Sequence, residues 1–144
     1  TFNSIELCNY PLMVLLRRDA TWATRKKINL EELQHQSFLM FPENFSLNSI
    51  ILDACKQHGF YPTIACRTSQ WHLLADMVLQ RMGIALLPQY YTDMLDPTLF
   101  AAVPLEKPNI QWHLVMAWKK NLPVSPAVQA WLSIVGQHFQ HIKP

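Results

Sequence analysis

Two short polar segments carry the side chains with which this chain could bind a small molecule. Residues 42–46 (PENFS) and 68–70 (TSQ) each follow an apolar run, where a strand would end and a helix begin. The free N–H groups of a first helical turn, with hydroxyls beside them, suit a small anion such as a carboxylate. Ordinary helix capping accounts for the same residue types equally well. The candidate contacts are Pro42, Glu43, Asn44, Phe45, Ser46, Thr68, Ser69 and Gln70.

Reactive residues elsewhere in the sequence do not form a catalytic pattern. Cys8, Cys55 and Cys66 have neither CxxC nor Cys/His metal spacing, and the three glycines are isolated, so the sequence contains no glycine-rich phosphate loop. The order of the carboxylates suggests no acid/base pair. We therefore expect a binding protein that is not an enzyme, with no metal and no cofactor.

Composition favours a folded domain inside the cell. Half of the 144 residues are hydrophobic and 15% are charged, enough for one domain or two small lobes. A net charge of +2 with scattered basic groups is weak support for direct nucleic-acid binding. The odd cysteine number, the absence of a leader and the absence of a long apolar run predict a cytoplasmic location and no membrane partner. Because the chain begins with Thr1, we expect it to be processed or a fragment.

Residues 63–88 form the unit that must position the second polar segment. A strand over 63–67 is followed by an amphipathic helix with Trp71, Leu74, Ala75 and Val78 on one face. Met82-Gly83 ends the helix, and the apolar run 84–87 closed by Pro88 predicts a buried strand. If the strands before the two polar segments are neighbours, their helix N-termini converge on one crevice.

The other elements alternate in the same way. Strands are expected over 11–16, 38–41, 100–103 and 112–118, and a capping box predicts a short helix from Asn29 to about Gln34. A helix ending at Gly59 should bury Leu47, Ile50, Ile51 and Ala54. A last helix begins at Ser125-Pro126, with Val128, Trp131, Leu132, Val135 and Phe139 on its apolar face. Alternating strands and helices predict an α/β fold with a parallel or mixed sheet.

In this order the segments resemble the second regulatory lobe of LysR-type transcriptional regulators. The resemblance rests on Pro42 after its strand, His58-Gly59-Phe60 with Pro62 following, and the run from Met82 to Pro88. It implies an α/β, periplasmic-binding-protein-like (type II) effector domain with a mixed, mainly parallel sheet and flanking helices. One complete lobe would span residues 11–113, and residues 1–10 and 114–144 would be a remnant of the first lobe.

The resemblance also implies a function. A small, anionic effector would bind between two lobes and modulate transcription, the eight candidate residues supplying the second-lobe contacts. DNA would be bound only through an N-terminal domain absent from this chain, and the protein would form a homo-oligomer, a dimer or tetramer. The sequence departs from the family at Gln80-Arg81-Met82, where small residues are usual. An extracytoplasmic solute-binding protein of the same fold is the alternative.

Overall fold

One strand of sixteen residues, β1 (Phe2–Arg17), opens the chain in a computed structural model that describes residues 1–121 and 123–140. Its second half carries the predicted apolar run, and Leu12, Val14 and Leu15 are fully buried. The strand predicted over 11–16 is therefore confirmed. Residues 2–10 continue the same strand without a break.

The chain divides into two units. The larger unit is Pro11–Gln111, and the smaller unit combines Thr1–Tyr10 with the chain from Trp112 onward. Both predicted polar segments lie within the larger unit.

A mixed sheet forms the centre of the larger unit. Its strands are ordered β3-β2-β4-β1-β5. β2 runs parallel to β3 and to β4, whereas β1 runs antiparallel to β4 and to β5. The mixed sheet is as predicted, but it is not mainly parallel: β3-β2 and β2-β4 are parallel pairs, whereas β1 pairs antiparallel with β4 and with β5. The strands added here are β2 (Ser37–Met40), β3 (Thr63–Arg67), β4 (Ile84–Pro88) and β5 (Phe100–Pro104).

Three helices accompany this sheet, α1 (Ser46–Gln57), α2 (Trp71–Leu79) and the short α3 (Gln89–Thr92). α1 buries Leu47, Ile51 and Ala54 as predicted, but Ile50 is 40% exposed and that assignment was wrong. The buried face of α1 is rotated away from Ile50 and toward Asn48 and Cys55, which are buried together with the three apolar residues. α2 buries Leu74, Ala75 and Val78, with Trp71 only partly covered.

Two 3-10 helices, Thr21–Thr24 and Leu30–Leu33, occupy the connection between β1 and β2. The second is the helix predicted after Asn29. The Asn29 N–H donates to Glu32 Oε2 at 2.9 Å, and the Glu32 carboxylate also accepts from Arg25 Nη1 at 2.6 Å. Pairing with Arg25 and with this backbone N–H lowers the pKa of Glu32.

Two glycines, Gly59 and Gly83, determine where α1 ends and where β4 begins. Gly59 has φ +85° just after α1, the left-handed cap that the sequence predicted. At Gly83 a Cβ would lie 2.4 Å from the Ser37 carbonyl oxygen, so this close approach of two backbones requires glycine. α2 itself ends earlier, and Arg81 takes a left-handed φ of +61°.

In the smaller unit, β6 (Gln111–Lys119) pairs with β1 and is followed by α4 (Pro126–Gln140). The predicted cap is confirmed, since the Val128 N–H donates to Ser125 Oγ at 3.3 Å. Trp131 is 56% exposed on α4, and the predicted place of the Phe139 side chain falls outside the described residues. No helix in the described part of the chain combines the length and hydrophobicity needed to cross a membrane.

Candidate functional site

The two polar segments lie side by side at one edge of the sheet. β2 and β3 are parallel neighbours, with Met40 opposite Arg67. The Thr68 N–H extends the pairing by donating to the Met40 carbonyl at 3.0 Å. The strands before the two polar segments are therefore neighbours, as the predicted crevice required. Their carboxyl ends bring residues 42–46 and 68–70 to the same edge.

The first segment forms a tight turn into α1. The Phe45 N–H donates to the Pro42 carbonyl at 3.0 Å, and the Phe45 ring stacks on Phe41 with centroids 5.4 Å apart. Phe45 is the N-cap residue of α1, and its side chain makes no capping hydrogen bond. Ser46 is the first helical residue, so its hydroxyl does not act as the cap. Glu43, Asn44 and Ser46 are exposed.

The second segment also leads into a helix without a side-chain cap. Gln70 is the N-cap residue of α2 and makes no capping hydrogen bond through its side chain. Thr68 Oγ1 accepts from the Gln70 N–H at 3.2 Å, which stabilises the turn before the helix. Ser69 is exposed, and its hydroxyl has no hydrogen bond to any of the described residues.

Ordinary helix capping was the alternative explanation for the serine and threonine residues of these two segments. The serine and threonine side chains in both segments leave the first helical turns of α1 and α2 uncapped. Within residues 1–121 and 123–140 no side chain caps these two turns, so their N–H groups keep a partial positive charge. Two such ends on adjacent strands form a surface on which an oxyanion would find several donors.

Arg67 is a residue of this edge that the sequence interpretation missed. Its Nη1 donates to the Phe41 carbonyl at 2.8 Å and to Oδ1 of Asn48, which is only 3% exposed. Its Nη2 lies 4.0 Å from the exposed Glu43 carboxylate. The signal was present, because a charged residue at the last position of a strand, directly before a candidate binding segment, faces the same edge as that segment.

The aromatic residues beside α2 pack against one another. Trp71 lies with its ring centroid 4.8 Å from that of Tyr91, and the His72 ring lies 3.8 Å from Trp71. These rings therefore pack on one another where α2 begins.

Cys55 is fully buried on α1, and burial raises the pKa of its thiol to about 11. Among residues 1–121 and 123–140, no group of three His, Cys, Asp or Glu side chains is placed to hold a metal ion.

A mixed sheet with flanking helices and two helix starts at the carboxyl ends of its parallel strands is an open α/β architecture, in which ligands bind at that edge. Comparison with known proteins gives the family. Residues 1–140 match the model of the LysR substrate binding domain, and the chain belongs to that family.

Relatives and solved structures agree with this assignment. The chain is 37% identical over 131 residues to the uncharacterized HTH-type transcriptional regulator YwbI of Bacillus subtilis, covering 91% of this chain and 44% of the relative. The CcmR regulatory domain of Synechocystis, solved with 2-PG, superposes with a TM-score of 0.89 at 16% identity, covering 99% of this chain and 69% of that one. The QuiR effector-binding domain, solved with shikimate, gives 0.83 at 17% identity, with 99% and 68% covered.

The predicted fold is therefore confirmed. The sequence also predicted a protein that is not an enzyme, and the relative described above is a transcriptional regulator. The chain spans less than half the length of that relative.

Proposed function

We propose that this chain is the effector-sensing portion of a bacterial LysR-type DNA-binding transcriptional regulator. Its ligand is a small anion that contacts residues 42–46 and 68–70. The observation that carries the proposal is the pair of uncapped helix starts on adjacent parallel strands. A carboxylate or phosphate would supply the acceptors that these N–H groups lack. The neighbours solved with 2-PG and with shikimate support a small-molecule ligand for this fold.

Arg67 adds a positive charge to the same edge. Its Nη1 is already held by Phe41 and Asn48, whereas the one partner of Nη2 in the described part of the chain is the exposed Glu43 carboxylate at 4.0 Å. An anionic ligand can displace that long contact and form a charge-assisted hydrogen bond in its place. A neutral analogue of such a ligand would accept a weaker hydrogen bond from Arg67 and a cation would be repelled, so this residue favours an anion.

Within the intact regulator we assign residues 11–113 to the second regulatory lobe, and residues 1–10 and 114–144 to part of the first. The effector would lie between the lobes. We also propose that the regulator binds DNA through a domain outside this chain, forms a homo-oligomer and is located in the cytoplasm. The match to HTH-type transcriptional regulators supports a regulator over an extracytoplasmic solute-binding protein.

The proposal is tested by Ser69→Ala in the intact regulator, after a screen of small organic anions that includes shikimate has identified an inducer. The concentration for half-maximal reporter response should rise about tenfold, the effect of losing one hydrogen bond to a charged ligand. Operator binding in gel-shift assays should not change. Ser133→Ala, which removes an exposed hydroxyl on α4, is the matched control. An unchanged dose response for Ser69→Ala would count against this site.

A further inference from the structure

We infer that the larger unit carries a second binding site, for a small organic carboxylate with an apolar body. The site is a cavity of about 530 Å³ between the end of β1, the first 3-10 helix and the segment that joins α2 to β4. β2, β3 and β4 are parallel, and this cavity lies where β4 begins, at Gly83 and Ile84. Residues 42–46 and 68–70 lie at the opposite edge, where these strands end. The cavity is therefore separate from the effector site proposed above.

The floor of the cavity is apolar. Leu16, Val78 and Ile84 line it and are 5%, 2% and 6% exposed. The partly buried Trp22 adds an aromatic wall. A hydrocarbon or aromatic ring placed here would leave water for an apolar surface, which is the main source of affinity for small ligands in such pockets.

Two arginines give the cavity its charge. Arg17 donates to the Asp19 carboxylate from Nε at 2.8 Å and from Nη2 at 2.9 Å, and its Nη1 donates to the Leu79 carbonyl at the end of α2. Arg17 is thus held on three sides. Its pairing with Asp19 lowers the pKa of that carboxyl, so Asp19 is ionised at neutral pH and balances one guanidinium.

Arg81 is the second cation, and most of its guanidinium N–H groups are available to a ligand. It is 72% exposed, and its single guanidinium contact with a described residue is Nη2 to Asp19 Oδ2 at 3.4 Å. One carboxylate facing two guanidiniums leaves the cavity with a net positive charge. A ligand carboxylate could accept two parallel hydrogen bonds from Arg81.

The backbone at Arg81 makes an arginine there unexpected on local grounds. Its φ of +61° is in the left-handed region, which is sterically costly for any residue with a Cβ and which glycine would occupy freely. This conformation belongs to the helix end after α2, where the Met82 N–H donates to the Met77 carbonyl at 3.1 Å, and it turns the Arg81 side chain away from the helix. Here the side chain is a guanidinium that lines an apolar cavity.

The cavity and its charge together set the class of ligand. A volume of about 530 Å³ is within the range of pockets for small molecules, and it suits a molecule of one or two rings. A single unbalanced guanidinium matches one carboxylate better than a doubly charged phosphate.

The test is an NMR titration of the 144-residue, ¹⁵N-labelled chain with benzoate and with benzamide, its uncharged counterpart. Benzoate should shift the Trp22 indole N–H and the Gly83 amide, and saturate with a Kd on the order of 1 mM. Benzamide should bind about tenfold or more weakly, because it lacks the charge that Arg81 recognises. Equal binding of the two compounds, or no shift at Trp22 and Gly83 with about 20 mM benzoate, would overturn the proposal.

Three variants locate the binding. Arg81→Gly removes the guanidinium and suits the left-handed backbone, so it should fold and weaken benzoate about tenfold. Lys56→Ala removes an exposed charge from α1 and should leave benzoate affinity within about twofold of the unmodified chain. Ser69→Ala alters the proposed effector site and so reports whether benzoate binds there instead. If Arg81→Gly binds benzoate as the unmodified chain does, or if only Ser69→Ala weakens it, the second site is wrong.

Discussion

Arg67 Nη1 donates to the carbonyl oxygen of Phe41 at 2.8 Å, so one side chain from the end of β3 holds the loop that follows β2. The same nitrogen donates to Oδ1 of the buried Asn48 in the first turns of α1. This guanidinium therefore joins the two strands, the first polar segment and the helix. It fixes the relative position of the two helix starts that we propose as the anion site.

Replacing Arg67 by Met should destabilise the chain by about 1–3 kcal/mol, because the Asn48 side-chain oxygen would be left buried without a donor. Urea unfolding followed by circular dichroism gives the difference. Arg67→Met with Asn48→Leu should recover part of the loss, since both partners of the buried hydrogen bond are then apolar. An Arg67→Met variant as stable as the unmodified chain would show that the guanidinium does not hold the edge together.

Glycine-to-alanine substitutions should differ according to their surroundings. Gly83→Ala should cost about 1–3 kcal/mol, because its Cβ would meet the Ser37 carbonyl oxygen at 2.4 Å. Gly59→Ala should cost about 1 kcal/mol from its left-handed backbone alone, since a Cβ there has no neighbour within 4 Å. Gly136→Ala lies within α4 in open space and should gain up to about 1 kcal/mol. Unfolding midpoints that do not follow this order would contradict the backbone geometry.

Cys55 should be the least reactive thiol of the folded chain at pH 8. It is fully buried, and with a pKa of about 11 very little of it is thiolate. In a Cys8→Ser/Cys66→Ser variant, Ellman's reagent should modify Cys55 only when urea unfolds the protein. Rapid modification without denaturant would contradict its burial.

Ionisation of the buried Cys55 thiol should destabilise the folded chain at alkaline pH. The folded pKa of Cys55 is above the value near 9 of an unfolded cysteine, so protonation favours the folded chain below pH 9. This contribution is lost as the pH rises from about 9 to about 11. Urea unfolding of the unmodified chain and of Cys55→Ala should show a smaller decline for the variant over that interval.

The apolar face of α4 should support association with a second copy of the chain. Val128, Trp131 and Ile134 are 46%, 56% and 64% exposed on this helix. An apolar patch of this kind marks a contact surface. Light scattering at micromolar concentration should give a dimer or larger species, and Trp131→Glu should shift it toward monomer. A monomeric unmodified chain would contradict this prediction.

Local patterns were enough to predict most elements of the sheet. The uninterrupted burial of β4 was evident from its apolar run, and the end of α1 from Gly59. Ile50 was misplaced because the helical stripe was drawn through apolar residues alone, whereas the structure buries the polar Asn48 with Arg67 as its partner. A buried polar residue satisfied by a distant partner leaves no periodic signal in a sequence.

The candidate site could be located from the sequence but not described. Residues 42–46 and 68–70 stand at strand-to-helix junctions, so their shared edge followed once β2 and β3 were neighbours. Which hydroxyls cap and which stay available depends on dihedral angles that the sequence does not express. The role of Arg67 and the cavity beside Arg81 depend on residues far apart in the chain.

We propose that the starts of α1 and α2 together form an anion site, and an NMR titration with sodium sulfate tests this most directly. Sodium chloride at matched ionic strength serves as the reference. We predict that sulfate shifts the amide signals of Ser46, Ser69 and Trp71 in parallel, with one common dissociation constant. Arg67→Met should weaken all three together. Amide signals at these positions that respond to sulfate no more than to chloride would contradict the claim.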